Sequence, residues 1–477
     1  MRIKLSLSIF LALSVSLCTL AQTSYDAFQV MGEDLNGTAR YVGMGGAMGA
    51  FGSDLSVISR NPAGIGTYLS SDVNISFALQ NSNTSMINPG SELMYDEDPS
   101  ESAATISYSS PGNRSGMNFH VEDVSFVVVM PTYGTAGSLS NVNLAFSYHR
   151  LKDLVRTLTY NDDFEKPGYP VEFRDLVNNQ DYLVNAYDFN VSFNHEDKFY
   201  WGFTFETLTA SCSTTGHFYH YYPKGQFGLE KPLDITSVDR MNDIYGRGWN
   251  FKFGFIARPE AGPFRFGLSV STPSFFRLNE EYTDYVYAID GEQYDGKKFY
   301  QDTFFKMTTP WVLNGSLGYS TKHTAIGFEY DCNIAKDSYL RVSNTDLSAQ
   351  GKDRDYRTYS ALRLGMETNV SNFSIRCGYN YTFPMFNSAG MKYLEDTYFN
   401  KKRMDLDYEN VFEAHTFTAG VGYCSTPGSF GGQFYVDLAY AYNLRYSSLH
   451  LGEYPYDPVT EYRTGTGKLL FTIGYTF

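Results

Sequence analysis

Residues 40–66 read RYVGMGGAMGAFGSDLSVISRNPAGIG, with a glycine-rich first half and an Asn-Pro-Ala motif in the second half. Its glycine run contains Gly43, Gly45, Gly46 and Gly49, which suggests either a phosphate-binding loop or closely packed backbone. A dinucleotide fingerprint requires G-x-G-x-x-G between a strand and a helix. Counted from Gly43, the last glycine of that pattern is replaced by Met48, and no βαβ pattern surrounds it. We therefore interpret the glycines as small residues that let backbone segments approach each other.

The second half of the stretch predicts one short helix with a defined start and end. Ser53 or Asp54 is suited to cap its first turn, and Leu55 and Ile58 would share one apolar stripe. The proline in Asn61-Pro62-Ala63 disfavours a helical Asn61, so this motif is predicted to stop the helix. A simple turn and a movable plug element both remain open as interpretations of Asp54, Asn61, Pro62 and Ala63.

The first residues have the layout of a secretory signal peptide. A basic start at Arg2 and Lys4 precedes an apolar run from residue 5 to residue 20, and Ala21 supplies a small residue at its end. We expect cleavage after Ala21 and exclude residues 1–21 from the fold. No later apolar run reaches the roughly 18 residues that a transmembrane helix needs.

The composition combines low hydropathy with very many aromatic residues. Mean hydropathy is -0.31, yet aromatic residues make up 17% of the chain, with 40 Tyr and 37 Phe. A transmembrane β-barrel resolves this conflict, because only every second strand residue faces lipid. The net charge of -15 argues against a nucleic-acid partner.

Alternation of apolar and polar residues predicts strands along the whole chain. In KLLFTIGYTF at the C-terminus, Leu469, Phe471, Ile473, Tyr475 and Phe477 share one face. We count about fourteen such segments, with about twelve or sixteen as alternatives. They begin near Asp72, Glu122, Asn141, Leu183, Phe199, Gly246, Pro263, Lys306, Thr324, Tyr359, Asn372, His415, Gly432 and Gly467.

The connections between these segments alternate between short and long. Short ones such as NHEDK and STKHT consist of turn-forming residues. Long ones are predicted near residues 81–120, 154–182, 213–245, 278–305, 339–358, 385–414 and 448–466. Short periplasmic turns and long outer loops are typical of outer-membrane barrels. The sequence therefore predicts an all-β transmembrane antiparallel barrel over residues 71–477, with residues 22–70 as a small hatch of short helices and coil inside the lumen.

The stretch from Leu35 to Phe77 resembles the N-terminal hatch of the outer-membrane long-chain fatty acid transporter family, the FadL/TodX type of hydrophobic-compound channels. The Asn61-Pro62-Ala63 motif, the preceding Gly-Ala run and the strand directly after it carry this resemblance. The Tyr-rich style resembles a Bacteroidetes-type member. The resemblance implies a fourteen-stranded barrel, a movable hatch, a ligand groove on outer loops, a pocket within the barrel and a lateral opening at a kinked strand. It implies passive diffusion with no cofactor.

Two aromatic-rich segments are candidates for the ligand groove. We assign them to outer loops, where exposed apolar clusters often mark binding surfaces. Loop-on-loop packing and an aromatic girdle at the membrane interface are the alternatives. The candidate groove residues are Phe218, Tyr219, Tyr222, Phe227, Phe275, Phe276 and Tyr285.

Four arginines and Lys252 are predicted to face the lumen, and the arginines are Arg258, Arg265, Arg363 and Arg376. They are expected to pair with inward acidic residues, and one of them is suited to bind a fatty-acid carboxylate in bidentate fashion. His217 and His220 invite a metal or haem hypothesis, but no third ligand accompanies them. We therefore expect no metal and no cofactor.

The chain end and the absence of catalytic motifs complete the prediction. Tyr475 and Phe477 resemble the C-terminal signal that the barrel-assembly machinery reads. No G-x-S-x-G motif is present, so an enzyme is not expected.

The predicted function is passive uptake of hydrophobic small molecules, foremost long-chain fatty acids, by a monomer in the outer membrane of a Gram-negative bacterium. A surface receptor or adhesin, including a haemin receptor, and a general porin are the alternatives.

Overall fold

The computed structural model describes thirteen stretches of the chain. They are residues 30–88, 105–108, 117–132, 139–165, 172–222, 233–260, 262–290, 293–334, 339–342, 358–384, 409–428, 431–450 and 459–477. The predicted signal peptide lies outside the described residues. Among the described residues, no helix combines the length and apolar character that a membrane-crossing helix needs.

The described strands form one closed antiparallel barrel of fourteen wall strands, which confirms the predicted fold class. Strands β1 to β6 are Asp72–Asn88, Asn118–Pro131, Leu139–Glu165, Glu172–His195, Phe199–Tyr222 and Leu233–Ala257. Strand β7 comprises Phe264–Ser271 and Phe275–Asp290, β8 comprises Gln293–Thr308 and Trp311–Ser320, and β9 comprises Thr324–Ile334 and Tyr339–Val342. Strands β10 to β14 are Tyr359–Val370, Phe373–Thr382, Glu409–Cys424, Gln433–His450 and Val459–Thr476. A short strand, Thr105–Tyr108, pairs with the far end of β3.

The barrel closes between its first and last strands. Strand β1 pairs with β14 from Asp72 opposite Thr476 through to Asn88 opposite Glu461. Closure pairs the ladder groups of both terminal strands and so removes the free edges that an open sheet would expose. Short turns join the strands at the end of the barrel where β1 begins, as predicted from the turn residues.

The outer face of the wall is apolar and rich in aromatic side chains. Along β6, Trp249, Phe251 and Phe253 are exposed, whereas Asn250 and Lys252 between them are buried in the lumen. Neighbouring strands stack their rings across the ladder, as Phe203 and Phe251 do at 5.5 Å between centroids. This two-residue alternation is the pattern that the sequence predicted, and it is the pattern that faces lipid in membrane barrels.

Several predicted long loops are wrong, because the strands continue through them. The segments 154–165, 172–182, 213–222 and 233–245 extend β3 to β6, and 278–290 extends β7. Both faces of these extensions carry polar residues, such as Thr214 inward and Asp243 on the other face. A strand extension beyond the apolar band contacts water on its outer face, so that face need not be apolar. Such an extension therefore lacks the alternation of apolar and polar residues by which strands are predicted.

Two adjacent strands are interrupted at prolines. The ladder of β7 breaks between Ser271 and Phe275, and that of β8 breaks between Thr308 and Trp311. Pro273 lies in the first break and Pro310 in the second. Proline has no N–H to donate to a neighbouring strand, so it interrupts the ladder. The two breaks lie side by side, since Thr308 pairs with Phe275 and Val312 with Ser271.

Residues 30–71, here called the N-terminal segment, precede the first strand. They contain helix α1 at Ala39–Gly43 and two 3₁₀ turns at Leu55–Ser59 and Pro62–Thr67. Many of their apolar side chains are buried with inward-facing wall residues in a cluster that includes Val42, Ile58, Val127 and Leu470. The segment therefore packs against the inner face of the barrel.

Candidate functional site

Asn61 fixes the N-terminal segment to the wall. Its side chain is fully buried. Its Nδ2 donates to the Gly49 carbonyl at 2.8 Å and to the Phe255 carbonyl of β6 at 3.3 Å, and its Oδ1 accepts from the Ala63 N–H at 3.2 Å. The structure agrees that a helical turn stops before Asn61-Pro62, because the 3₁₀ turn Leu55–Ser59, capped at its start by Asp54, ends there and Asn61 has an extended backbone. Instead of the single predicted helix there are two 3₁₀ turns, and Asn61 is the N-cap of the second, Pro62–Thr67.

Pro62 and Ala63 continue this attachment on the neighbouring strands. The Pro62 carbonyl accepts hydrogen bonds from Ser192 Oγ at 2.7 Å and from Asn190 Nδ2 at 3.3 Å. Ala63 is buried in a small apolar cluster with Tyr200 and Ile256. Because Asn61, Pro62 and Ala63 contact three successive strands, the motif ties the segment to one side of the barrel.

Gly45 and Gly46 form the tight turn that follows α1. Both have positive φ, +62° and +78°, a conformation that favours glycine. A Cβ at Gly45 would lie 2.8 Å from the Leu364 carbonyl oxygen and 2.8 Å from the Tyr379 N–H nitrogen. The turn therefore lies directly against the backbone of β10 and β11.

The wall offers matching glycines to the N-terminal segment, which the sequence analysis missed. A Cβ at Gly365 would collide with the Met44 carbonyl, and one at Gly202 would lie 2.5 Å from the Pro62 carbonyl. In the central strands each such glycine sits inward between two outward apolar residues, and this pattern is the sequence signal that could have revealed them. The wall glycines that face the segment include Gly202, Gly254, Gly267, Gly318, Gly327, Gly365, Gly378 and Gly420.

Arg363 and Arg376 face the lumen and are paired with carboxylates. Arg363 donates to Glu329 Oε1 at 3.1 Å and to Asp331 Oδ2 at 2.6 Å. Glu329 Oε2 in turn accepts from the Gly49 N–H at 2.8 Å, so the network reaches the N-terminal segment. Arg376 bridges Glu367 and Asp437.

Two further arginines join the wall to the N-terminal segment. Arg40 of the segment donates to both oxygens of Glu367, at 3.0 and 3.1 Å. Arg265, another predicted lumen arginine, donates to the Phe51 carbonyl at 3.2 Å and lies over the Phe51 ring. These inward charges therefore contact each other and the segment.

Asp54 is a buried cap whose titration gives a testable pH dependence. Its carboxylate accepts from Thr38 Oγ1 and from the Ser56 N–H at 2.8–2.9 Å. Burial raises the pKa of Asp54 above its ordinary value, although the nearby Arg40 and the Thr38 and Ser56 hydrogen bonds act to lower it. A raised pKa in the folded state means that the folded protein favours the protonated carboxyl.

We predict that the wild type loses folding stability as the pH rises through the raised pKa of Asp54. The Asp54→Asn variant should not show this loss. The protonation-linked contribution of Asp54 to the free energy of unfolding is fully present below the pKa of aspartate in the unfolded chain, about 3.9. It is lost as the pH rises through the higher pKa of Asp54 in the folded protein. Asparagine still caps the turn but does not ionise. Urea unfolding in detergent from pH 4 upward should show the wild type losing stability relative to the variant. A difference that stays constant with pH would contradict the prediction.

A cavity lies between the N-terminal segment and the end of the barrel opposite the short turns. It is continuous with solvent, and the space free for the centre of a water molecule is about 150 Å³. One part of its lining is apolar, with Leu151, Val184, Leu208 and Phe276 from β3, β4, β5 and β7. These side chains belong to a larger buried apolar cluster that also contains Val30 and Met31 of the N-terminal segment.

Much of the remaining cavity lining is polar, and it includes both cationic and acidic side chains. Arg445 donates to Asp34 Oδ1 at 2.7 Å, and Lys152 Nζ donates to the Met31 carbonyl at 2.9 Å. Burial would raise the pKa of Asp34, but Arg445, Lys468 and Lys152 hold it below its ordinary value. The cavity therefore joins an apolar surface to cationic side chains, several of which form ion pairs with carboxylates.

The predicted groove residues do not form one described surface. The assignment of Phe275, Phe276 and Tyr285 to a loop is wrong, because all three lie on the second segment of β7. Phe276 faces the lumen and is 4% exposed, whereas Phe275 faces outward and packs its ring 4.8 Å from that of Trp249. Tyr285 lies under the Lys298 ammonium at 5.2 Å.

The remaining groove candidates are only partly within the described residues. Phe218, Tyr219 and Tyr222 belong to the backbone of β5, but their side chains lie outside the described residues, as Phe227 does entirely. His217 is exposed and contacts Asp239 of β6. Tyr475 and Phe477 face outward, with ring centroids 6.2 Å apart.

No protein-family model matches the chain. No curated protein matches it either.

Several solved structures match over almost the whole chain. A Pseudomonas aeruginosa FadL homologue is 13% identical, with a TM-score of 0.59, over 94% of this chain and 99% of that one. The P. putida toluene transporter TodX is 11% identical, with a TM-score of 0.54, over 93% and 99%. The Ralstonia pickettii toluene transporter TbuX is 13% identical, with a TM-score of 0.50, over 93% and 99%. At these identities the likeness concerns the fold, and the chain has the barrel fold of the FadL/TodX-type hydrophobic-compound channels.

Proposed function

We propose that the chain is an outer-membrane channel for the passive uptake of hydrophobic small molecules, with long-chain fatty acids as the substrate class. The observation that carries the proposal is the cavity, because it joins an apolar wall to cationic side chains inside a barrel whose outside is apolar. Such a site suits a molecule with a long apolar part and an anionic end.

The outer face of the barrel supports placement in a Gram-negative outer membrane. An apolar outer band of strand residues with a polar lumen is the construction of outer-membrane barrels. Export by a signal peptide ending at Ala21, assembly through Tyr475 and Phe477, and a monomeric state are parts of the same proposal.

We infer that residues 22–70 form a hatch inside the barrel lumen. The contacts of Gly45, Asn61 and Pro62 with the wall support a plug seated on backbone rather than on long side chains. A lumen filled in this way conducts ions poorly, which favours a hydrophobic-compound channel over a general porin. The paired arginines at the segment give the hatch polar contacts that can be exchanged for water when it moves.

The two proline breaks are our candidate for a lateral exit. Thr272, Ser274, Thr309 and Pro310 line both the breaks and the cavity, so an apolar molecule in the cavity lies beside a wall region where regular strand pairing is interrupted. The Thr309 N–H still donates to the Ser274 carbonyl across this region, at 3.1 Å. Leaving through the wall would spare an apolar molecule the passage through water.

The substrate class is tested by uptake of labelled oleate, with labelled toluene as a second arm. We predict that Leu208→Asn slows oleate uptake about tenfold, because it puts a polar group against the apolar part of the substrate. Ile244→Asn is the matched control, since Ile244 is equally buried in the same apolar cluster but does not line the cavity. Equal oleate uptake by cells with and without the gene would contradict the fatty-acid assignment, and selective loss of toluene uptake would redirect it to monoaromatic compounds.

A further inference from the structure

Three neighbouring strands bring one histidine and two carboxylates together inside the wall. His149 lies on β3, Asp188 on β4 and Glu206 on β5, and Asp188 pairs directly with Glu206 in the ladder. One ligand atom from each of the three side chains lies within 4.8 Å of the others. The three residues are buried, at 3%, 0% and 1% exposure.

Polar atoms of this cluster are left without hydrogen bonds. Both carboxylate oxygens of Asp188 and the Nε2 of His149 are buried and have no hydrogen-bond partner. His149 Nδ1 lies 3.4 Å from Asp188 Oδ2. A fully buried carboxylate that accepts no hydrogen bond is costly, so a group that satisfies it is expected.

The charges around the cluster are unbalanced toward the negative. Lys252 Nζ contacts Glu206 Oε1 at 2.5 Å, and Asn250 donates to the other oxygen of Glu206. Asp123 adds a third buried carboxylate through Ser147, which pairs with Asp188 in the ladder. Among the residues that the structure describes, the cation in contact with these three carboxylates is Lys252, through Glu206. Buried charges of one sign need a counter-charge.

We propose that His149, Asp188 and Glu206 bind a divalent transition-metal ion. Imidazole nitrogen and carboxylate oxygen are the ligands that Zn²⁺ and related ions take in proteins. A carboxylate oxygen has lone pairs to spare, so Glu206 can keep Lys252 and Asn250 while it binds the ion. The ion would neutralise the excess charge and cross-link three successive strands beside Asn190, the residue that contacts Pro62.

The experiment titrates the whole chain in detergent with Zn²⁺ after chelator treatment and removal of any histidine tag. Isothermal titration should show one tight site in the wild type. His149→Gln and Asp188→Asn should each weaken it by at least about 100-fold, since even outer-shell changes cost about 10–100-fold in metal affinity. His323→Gln, in an exposed turn, is the matched control and should bind as the wild type does.

The same titration distinguishes a metal from a shared proton. If Asp188 and Glu206 instead hold one proton between them, the stripped wild type binds no Zn²⁺ at this site, and that result overturns the proposal. Unchanged binding in both variants would overturn it as well. Should the variants fail to fold, anomalous scattering from crystals of Zn²⁺-soaked wild type decides. A peak between the three side chains supports the proposal, and its absence there refutes it.

Discussion

Valine at both Gly365 and Gly378 should open the lumen to ions. The two glycines pair across β10 and β11, and a Cβ at either would collide with the backbone at Met44 or Gly45. These backbone atoms cannot avoid the added Cβ by a rotamer change, as a side chain could. The N-terminal segment must therefore move away from β10 and β11. We expect the steady conductance in planar bilayers to rise about tenfold or more, as in barrels with an aqueous lumen.

Gly315 provides the control position, because the N-terminal segment does not contact it. A Cβ at Gly315 would meet only Leu268, at 3.9 Å, so Gly315→Val adds the same β-branched residue to a strand without a collision. Its conductance should equal that of the wild type. If the double variant also conducted like the wild type, the N-terminal segment would not be what closes the barrel.

Loss of Arg363 should be the most destabilising single change in the charge network. Glu329 and Asp331 are almost fully buried, and Arg363 contacts both. Arg363→Met leaves two adjacent buried carboxylates, with Arg60 3.5 Å from Asp331 as the remaining cation that contacts them among the described residues. We expect a loss of about 3–5 kcal/mol in the free energy of unfolding, measured by urea titration in lipid vesicles.

Two comparisons separate this effect from a general loss of charge. Lys322→Met, in an exposed turn, should change stability by less than about 0.5 kcal/mol. Combining Arg363→Met with Glu329→Gln and Asp331→Asn should recover part of the loss, because the uncompensated charges are then gone. A change below about 1 kcal/mol for Arg363→Met alone would show that the network does not hold the segment.

The strands within the apolar band were predictable because lipid imposes a period of two. The outward Phe251 and Phe253 with the inward Lys252 show it, and the starts of β1, β5, β9 and β10 match the structure residue for residue. The strand extensions were not predictable, because water on their outer face imposes no apolar alternation. The proline breaks carried a local signal in Pro273 and Pro310 that the strand count did not use.

The site was predictable only in part, because its contacts join residues far apart in sequence. Asp54 as a cap and the inward direction of Arg363 and Arg376 follow from local rules. The contact between Met44 and Gly365, or between Gly49 and Glu329, spans the chain and depends on how the segment is seated. The cluster of His149, Asp188 and Glu206 needs the strand register, which turns and bulges set.

An experimental structure of the protein with oleate would show whether a hatch-closed barrel holds an amphipathic hydrophobic molecule. We expect rod-shaped density along Leu208 and Phe276, with its carboxylate end toward Lys152 and Arg445 and with the N-terminal segment inside the lumen. Density for ordered water alone in that cavity at saturating oleate, or an N-terminal segment outside the lumen, would contradict this expectation.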